Sequence, residues 1–155
     1  MQIRVATPED IPRLEQLEQA VIEAERPFNA AIKADNAHYY DLPALLNDEH
    51  SYLIVGTIDG SIIATGYAQI RQSKAQLDHA QHGYLGFMYV HPQHRGKGLN
   101  QQIMTKLMDW CNQQSVCDFY LDVYSDNVAA IRAYEKAGFT PCLLEMKLHQ
   151  PVPQK

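Results

Sequence analysis

The chain has 155 residues, 46% of them hydrophobic, with 13 basic and 18 acidic side chains and a formal net charge of −5. That length suits one domain with a real core, the absence of a basic excess or stripe argues against nucleic acid as a partner, and no apolar run approaches the ~20 residues that span a bilayer. Cys111, Cys117 and Cys142 lack metal-type spacing and the opening MQIRVATPED lacks a basic-then-apolar leader pattern, so reduced thiols and a cytoplasmic location are expected.

Residues 2–6 read as a short strand. Thr7 then offers a cap, Pro8 suits a first helical position, and Ile11, Leu14, Leu17 and Val21 recur at helical spacing, so a helix is expected to about Glu25, where Pro27 breaks it. Ala30, Ala31, Ile32 and Ala34 suggest a second helix. YYDLP reads as a turn and ALLND as a short helical piece. Two β-rich runs joined by Asp59-Gly60, a pair that favours a tight primed turn, predict a hairpin over 51–71. A polar connection, 72–81, leads to the strand HGYLGFMYV. Leu99, Ile103, Leu107 and Cys111 recur every fourth residue, with Met104 and Met108 beside them, as on an amphipathic helix ending near Gln114. DFYLDVY reads as a buried strand, and NVAAIRAYEKA as a helix capped by Ser125 or Asp126 and ended by Gly138. FTPCLLEMKL supplies one or two last strands. Residues 1–150 then form a single domain and 151–155 a frayed tail. The middle strands should be antiparallel. The strand–helix–strand over 82–124 needs a crossover and so predicts a parallel pair.

Between strand and helix stands His91-Pro92-Gln93-His94-Arg95-Gly96-Lys97-Gly98-Leu99-Asn100. Glycine lets backbone approach a ligand closely, and a helix N-terminus offers unpaired N–H groups with partial positive charge. Together they suit an anion, most often a phosphate. The plainer alternative is an ordinary turn. A P-loop fails, because Gly98 follows Lys97 where Ser or Thr belongs and His91 replaces the first glycine. A dinucleotide fingerprint fails too, because Gln101 holds the third glycine position and five residues separate Val90 from Gly96.

The remaining pattern is Q-x-x-G-x-G, Gln93 to Gly98, followed by N-x-x-A-I-x-x-Y-E-K-x-G-F, Asn127 to Phe139. In this order, one helix and one strand apart, the two motifs resemble the GNAT superfamily of acetyl-CoA-dependent N-acetyltransferases. The resemblance is specific over 85–139 and weak over 1–80. It implies an α/β (mixed α+β) fold: a mostly antiparallel sheet with a central, splayed parallel pair and helices on both faces. It also implies a site. Amides from Gln93 or His94 through Arg95, Gly96, Lys97, Gly98 and Leu99 to Asn100 would hold the coenzyme A pyrophosphate. Met88, Tyr89 and Val90 would pair with its pantetheine arm, and the Met88 N–H would polarise the thioester carbonyl. Asn127 would touch the coenzyme. Tyr134, two turns further on, would protonate the departing thiolate; its plainer reading is a core aromatic.

The glutamate that many family members carry near Gly86 and Phe87 is missing. Asp122, five residues before Asn127, is the substitute the resemblance offers as general base, with Glu23, Glu25, Tyr84 and His82 as other candidates. The histidine pairs 79/82 and 91/94 lack metal geometry, and no metal is expected. The implied activity is transfer of an acetyl group to a primary amine of a small-molecule or peptide acceptor by direct attack. The rivals are a non-catalytic acyl-CoA sensor and a nucleotide binder of another class. The acceptor is not encoded in any motif. No membrane partner is expected, and the resemblance allows a homodimer.

Overall fold

A computed structural model describes residues 1–154. Five strands form one sheet in sequence order: β1 (Gln2–Val5), β2 (Ser51–Ile58), β3 (Ser61–Gln72), β4 (Gln81–Val90) and β5 (Phe119–Tyr120). The first three pairings are antiparallel, and β4 with β5 is parallel, as the crossover demanded. Four helices flank it: α1 (Ile11–Glu25), α2 (Leu42–Asn47), α3 (Leu99–Asn112) and α4 (Val128–Lys136).

The β2–β3 hairpin turns at Asp59 and Gly60, with φ of 50° and 79°. Both lie in the left-handed region a primed turn requires. β2, β3 and β4 are buried on both faces, so the molecule has two cores. On one face Leu99, Ile103, Met104, Leu107 and Cys111 of α3 pack on Ile54, Ala64, Ala68 and Leu85. On the other, Leu14 and Leu17 of α1 and Leu42 of α2 pack on Leu53, Val55, Tyr67, Phe87 and Tyr89. The helix-spaced residues read from the sequence are therefore the ones that meet the sheet. Cys111 lies in this first core, where burial pushes its thiol up to about 11.

Three expectations need correction. No helix forms over 30–34; after a short 3-10 turn at Arg26–Phe28 the chain runs as irregular loop to α2. The Arg26 guanidinium donates to the carbonyls of Lys33 and Ala34 at 2.8 and 3.3 Å, and the Asn29 side chain accepts from the Ala31 N–H at 3.0 Å. Those local bonds replace the helix ladder. The strand expected over 118–124 shrinks to Phe119–Tyr120 because only Gly83 and Tyr84 of β4 pair with it and its outer edge has no neighbour. Finally, residues 139–154 form no strand. From Thr140 onward they are exposed, including Leu143, Leu144, Met146, Leu148 and Val152.

Candidate active site

The Gly-x-Gly loop begins where β4 ends. Pro92–His94 make one 3-10 turn, capped by His91 Nδ1, which accepts from the Gln93 N–H at 3.2 Å. Gly96 and Gly98 have φ of 79° and 74°, and a Cβ built on either meets nothing within 4 Å. The glycines are thus required by conformation, and the space beside them is open. No side chain caps α3 at Gly98. Among the described residues no hydrogen bond leaves the backbone N–H groups from Gly98 to Gln101; the first bond of the helix is Gln102 N–H to Gly98 C=O, at 3.2 Å. Bare amides at a helix start, open space and nearby Lys97 suit an anionic pyrophosphate. Arg95 turns back, its Nε donating to Val90 C=O at 2.9 Å and its guanidinium over the Tyr89 ring. His94 Nδ1 and Asn100 Oδ1 are buried without a partner, two of the three such side-chain atoms among the described residues.

The second feature is a gap. Past Tyr84 and Tyr120, β4 and β5 no longer pair, so the sheet splays. β4 is also bulged against β3: Tyr67 faces Gly86 and Thr65 faces Tyr89, leaving Phe87 and Met88 opposite Gly66 alone, with Phe87 at φ 53°. A bulge releases backbone groups from the ladder and re-aims them. It falls at Met88, the position whose N–H the family resemblance singled out.

The third feature explains the missing glutamate. A Cβ on Gly86 would lie 2.5 Å from Cζ and Oη of Tyr67. The ring of β3 occupies the space a side chain on β4 would need. Tyr67 belongs to an aromatic wall with Tyr40, Tyr84 and Phe87; Tyr40 stacks on Phe87 with centroids 4.5 Å apart. Arg71 lies over the Tyr84 ring at 3.9 Å.

Two carboxylates join this wall. Asp122, exposed beyond the end of β5, accepts from Tyr84 Oη at 2.9 Å. Glu25, at the end of α1, is half-buried, and burial pushes its pKa up from the ordinary carboxylate value. Burial also raises the Tyr134 phenol, and the Glu25 charge raises it further. The same charge acts on Tyr39 and Tyr40, whose phenols are raised chiefly by burial. Tyr39 Oη is the third buried orphan. Glu25 and Tyr124 both lie close enough to perturb it, although neither makes a hydrogen bond of proper geometry with it. Tyr124, which hydrogen-bonds Asn29 at 3.0 Å, closes the wall beside Phe28.

The other sequence candidates divide cleanly. Tyr134 packs at the edge of the first core, edge-on to Phe139 at 6.1 Å, and keeps a proton through neutral pH. Asn127, rather than the expected Ser125 or Asp126, caps α4, its Oδ1 accepting from the Ala130 N–H at 3.2 Å, which leaves its amide nitrogen for a ligand. Glu23 is an exposed partner of Arg26. His82 belongs to a separate network near the start of β4, with Ser73, His79 and Tyr120. Sequence reasoning missed Glu18. This carboxylate, 1% exposed, accepts from the N–H groups of Tyr39 and Tyr40 at 3.0 and 2.8 Å and lies 3.1 Å from His38. It thereby fixes the loop that carries both tyrosines into the wall. A signal was present: Glu18 falls on the apolar face of α1, between Leu14 and Ile22. Among the described residues no three His, Cys, Asp or Glu side chains converge as metal ligands, and no helix is long and apolar enough to cross a membrane.

Comparison with known proteins places the chain in a family. The model of the acetyltransferase (GNAT) family matches residues 14–139. A streptothricin acetyltransferase from Streptomyces lavendulae is 30% identical over 103 residues, 66% of this chain and 51% of that protein. The chain spans about half, or less, of the length of the curated relatives it matches. Among solved structures, a tetramutant protein from Bacillus halodurans superposes with a TM-score of 0.84 at 24% identity, over 97% of this chain and 100% of that one. A Clostridium acetobutylicum structure described as a predicted acetyltransferase with acetyl-CoA superposes with a TM-score of 0.75 at 18% identity, over 96% of this chain and 95% of that one.

Proposed function

The chain belongs to the GNAT acetyltransferase family, and from that premise we propose that it transfers the acetyl group of acetyl-CoA to a primary amine of a small molecule, by direct attack in a ternary complex. One observation carries this reading: the uncapped start of α3 behind Gly96 and Gly98, with its free amides, lies beside a splayed sheet whose opposite wall is tyrosine and carboxylate.

In this reading the amides from Gly96 to Asn100 and the flanking residues Gln93, His94, Arg95 and Lys97 hold the pyrophosphate of the acetyl donor. Met88, Tyr89 and Val90 run beside its pantetheine, and the Met88 N–H faces the thioester oxygen as it gains charge. Asn127 adds a contact through its free amide nitrogen. The acceptor enters as an ammonium, drawn to the aromatic wall and to Glu25. It loses a proton to Asp122, held by Tyr84 and open to water, and its nitrogen forms a bond to the acetyl carbon. The carbon–sulfur bond breaks, Tyr134 gives its proton to the thiolate, and the second proton leaving the nitrogen passes through water to the tyrosinate, which restores the phenol. Burial first, and then the Glu25 charge, raise the Tyr134 phenol, so it enters the reaction with its proton in place. The likeness to a streptothricin acetyltransferase supports a small-molecule acceptor. The three cysteines, none in a disulfide, support a cytoplasmic setting.

The absence of a β4 carboxylate favours a second reading, a non-catalytic acyl-CoA module. Thermal unfolding with acetyl-CoA, ATP and NAD tests the cofactor. At a hundredfold excess over Kd, acetyl-CoA should add about 2.7 kcal/mol, a rise of roughly 5–11 °C, and the others nothing. Release of free thiol across an amine panel then separates enzyme from sensor. A shift with no thiol release for any amine leaves the sensor; no shift with acetyl-CoA removes both readings.

A further inference from the structure

A half-buried arginine stands on the acceptor wall with no carboxylate paired to it. Residues paired across two strands share a face of the sheet. The registers Gln69↔Tyr84 and Arg71↔His82 therefore put Gln69 and Arg71 of β3 beside Tyr84 and His82 of β4. Arg71 is anchored there at two points. Its Nε donates to Gln69 Oε1 at 2.7 Å, and its guanidinium lies on the Tyr84 ring, 3.9 Å from the centroid. Gln69 is held in turn, its amide nitrogen donating to Ser51 Oγ at 3.1 Å and to Asp48 Oδ2 at 3.3 Å. The anchors use only Nε and the guanidinium face. Among the described residues neither Nη nitrogen makes a hydrogen bond, and Arg71 joins no ion pair. The Tyr67 hydroxyl, raised chiefly by burial, is near enough for the Arg71 charge to pull it the other way, without a hydrogen bond of proper geometry. His82 is lowered by burial first, then by the His79 and Arg71 charges, against a smaller pull from Asp118, so it stays neutral at neutral pH.

A guanidinium fixed through Nε offers its two Nη nitrogens as a planar fork, the shape that a carboxylate fills with two parallel hydrogen bonds. Partial burial strengthens that pairing over one at the open surface. Asp122 belongs to the same tyrosine but does not fill the fork. It accepts from Tyr84 Oη at 2.9 Å and forms no ion pair with Arg71. One ring thus carries a cation on its face and a carboxylate on its hydroxyl. Together they complement a small zwitterion with closely spaced charges, its ammonium toward Asp122 and its carboxylate toward Arg71. The remainder of such a molecule meets Tyr40, Tyr67 and Phe87, an aromatic surface that suits an apolar side chain.

We propose that the acceptor is an α-amino acid with an apolar side chain, whose carboxylate is bound by Arg71 while Asp122 takes the proton from its amine. This acceptor class rests on acetyl transfer as proposed above and supplies the second charge of the molecule that receives the acetyl group. The amino-acid nitrogen is the nucleophile, and the products are the N-acetyl amino acid and free coenzyme A. Arg71 touches the substrate. Gln69, which acts through Arg71, is a positioning residue.

Thiol release from acetyl-CoA at neutral pH, with matched acceptors, tests this. One set is L-leucine, L-leucinamide and isopentylamine; the other is L-phenylalanine, L-phenylalaninamide and phenethylamine. In each set the free amino acid should exceed both partners in kcat/KM by about tenfold or more. The amide's amine is less basic and more of it is unprotonated, so intrinsic reactivity alone would favour the amide. Arg71→Gln should lose most of the preference through KM for the amino acid, and Arg71→Lys should restore part of it. Gln69→Leu, which frees the fork to turn, should fall between wild type and Arg71→Gln. Each variant should keep its acetyl-CoA-induced thermal shift. Amides or decarboxylated amines that outrun the amino acids overturn the proposal and leave acetyl transfer standing. So does a preference that survives Arg71→Gln. No thiol from any of these acceptors overturns it as well, and the wider amine panel then decides the acetyl-transfer reading separately. The wild-type preference decides even if a variant fails to fold.

Discussion

At the scale of single residues, the proposed acid and the two carboxylates of the cleft carry separate expectations. Tyr134→Phe keeps the ring against Phe139 and removes only the hydroxyl. It should lower kcat about a hundredfold or more with little change in acetyl-CoA affinity, as single-turnover kinetics with a good amine would show. Glu25 has its pKa raised by burial, so it becomes charged at a pH above the ordinary glutamate range. Glu25→Gln should move the acidic limb of kcat/KM to lower pH while raising KM for cationic acceptors. Asp122→Asn should instead lower kcat near neutral pH and recover as pH rises and the amine deprotonates itself. The pair Gly86 and Tyr67 gives a further expectation. Gly86→Glu alone should unfold or expel the ring, given a Cβ at 2.5 Å from Tyr67, whereas Gly86→Glu with Tyr67→Ala should be tolerated; melting curves distinguish the two. Residues with a fixed spacing to a motif were legible in the sequence. The aromatic wall was not, because Tyr39, Tyr40, Tyr67 and Tyr84 come from three separate segments whose adjacency only the fold creates.

At the scale of elements, two carboxylates tie segments that have little apolar area of their own. Asp10 accepts from both guanidinium nitrogens of Arg4, at 2.7 and 3.0 Å, and from the Thr7 N–H at 2.8 Å, joining β1 to the start of α1. The Arg4 bond above all holds the Asp10 carboxyl down to about 2. A depressed carboxylate stabilises the fold above its unfolded pKa, near ~4, and that contribution is lost as pH falls toward 2. Wild type should therefore lose stability over that window, and Asp10→Asn should flatten the loss; urea midpoints at stepped pH would show it. Glu18→Ala strands the N–H groups of Tyr39 and Tyr40, at a cost of about 1–3 kcal/mol, and should weaken acceptor binding with acetyl-CoA binding kept. Strongly periodic elements such as α3 were readable because four apolar positions agree on one face. β5 and the last strands were misread for one reason: strand sequence states a willingness to pair, and the chain alone does not supply the neighbour. The loop over 29–41 failed differently, since nothing in the run of alanines announces the Arg26 bonds to the Lys33 and Ala34 carbonyls that hold its irregular path.

At the scale of the whole molecule, the sheet separates two cores that different stretches of chain complete. One face is built mainly from the first half of the chain, α1 and α2 on β2 and β3, with Phe87 and Tyr89 of β4 completing it. The other waits for α3. A ribosome releases about 5–20 residues per second, so the interval between synthesis of Ala68 and of Cys111 lasts a few seconds. During it Ile54, Ala64 and Ala68 line an uncovered apolar surface on an otherwise formed hairpin. The order of synthesis thus leaves this protein a defined window in which a nascent-chain chaperone has one face to shield.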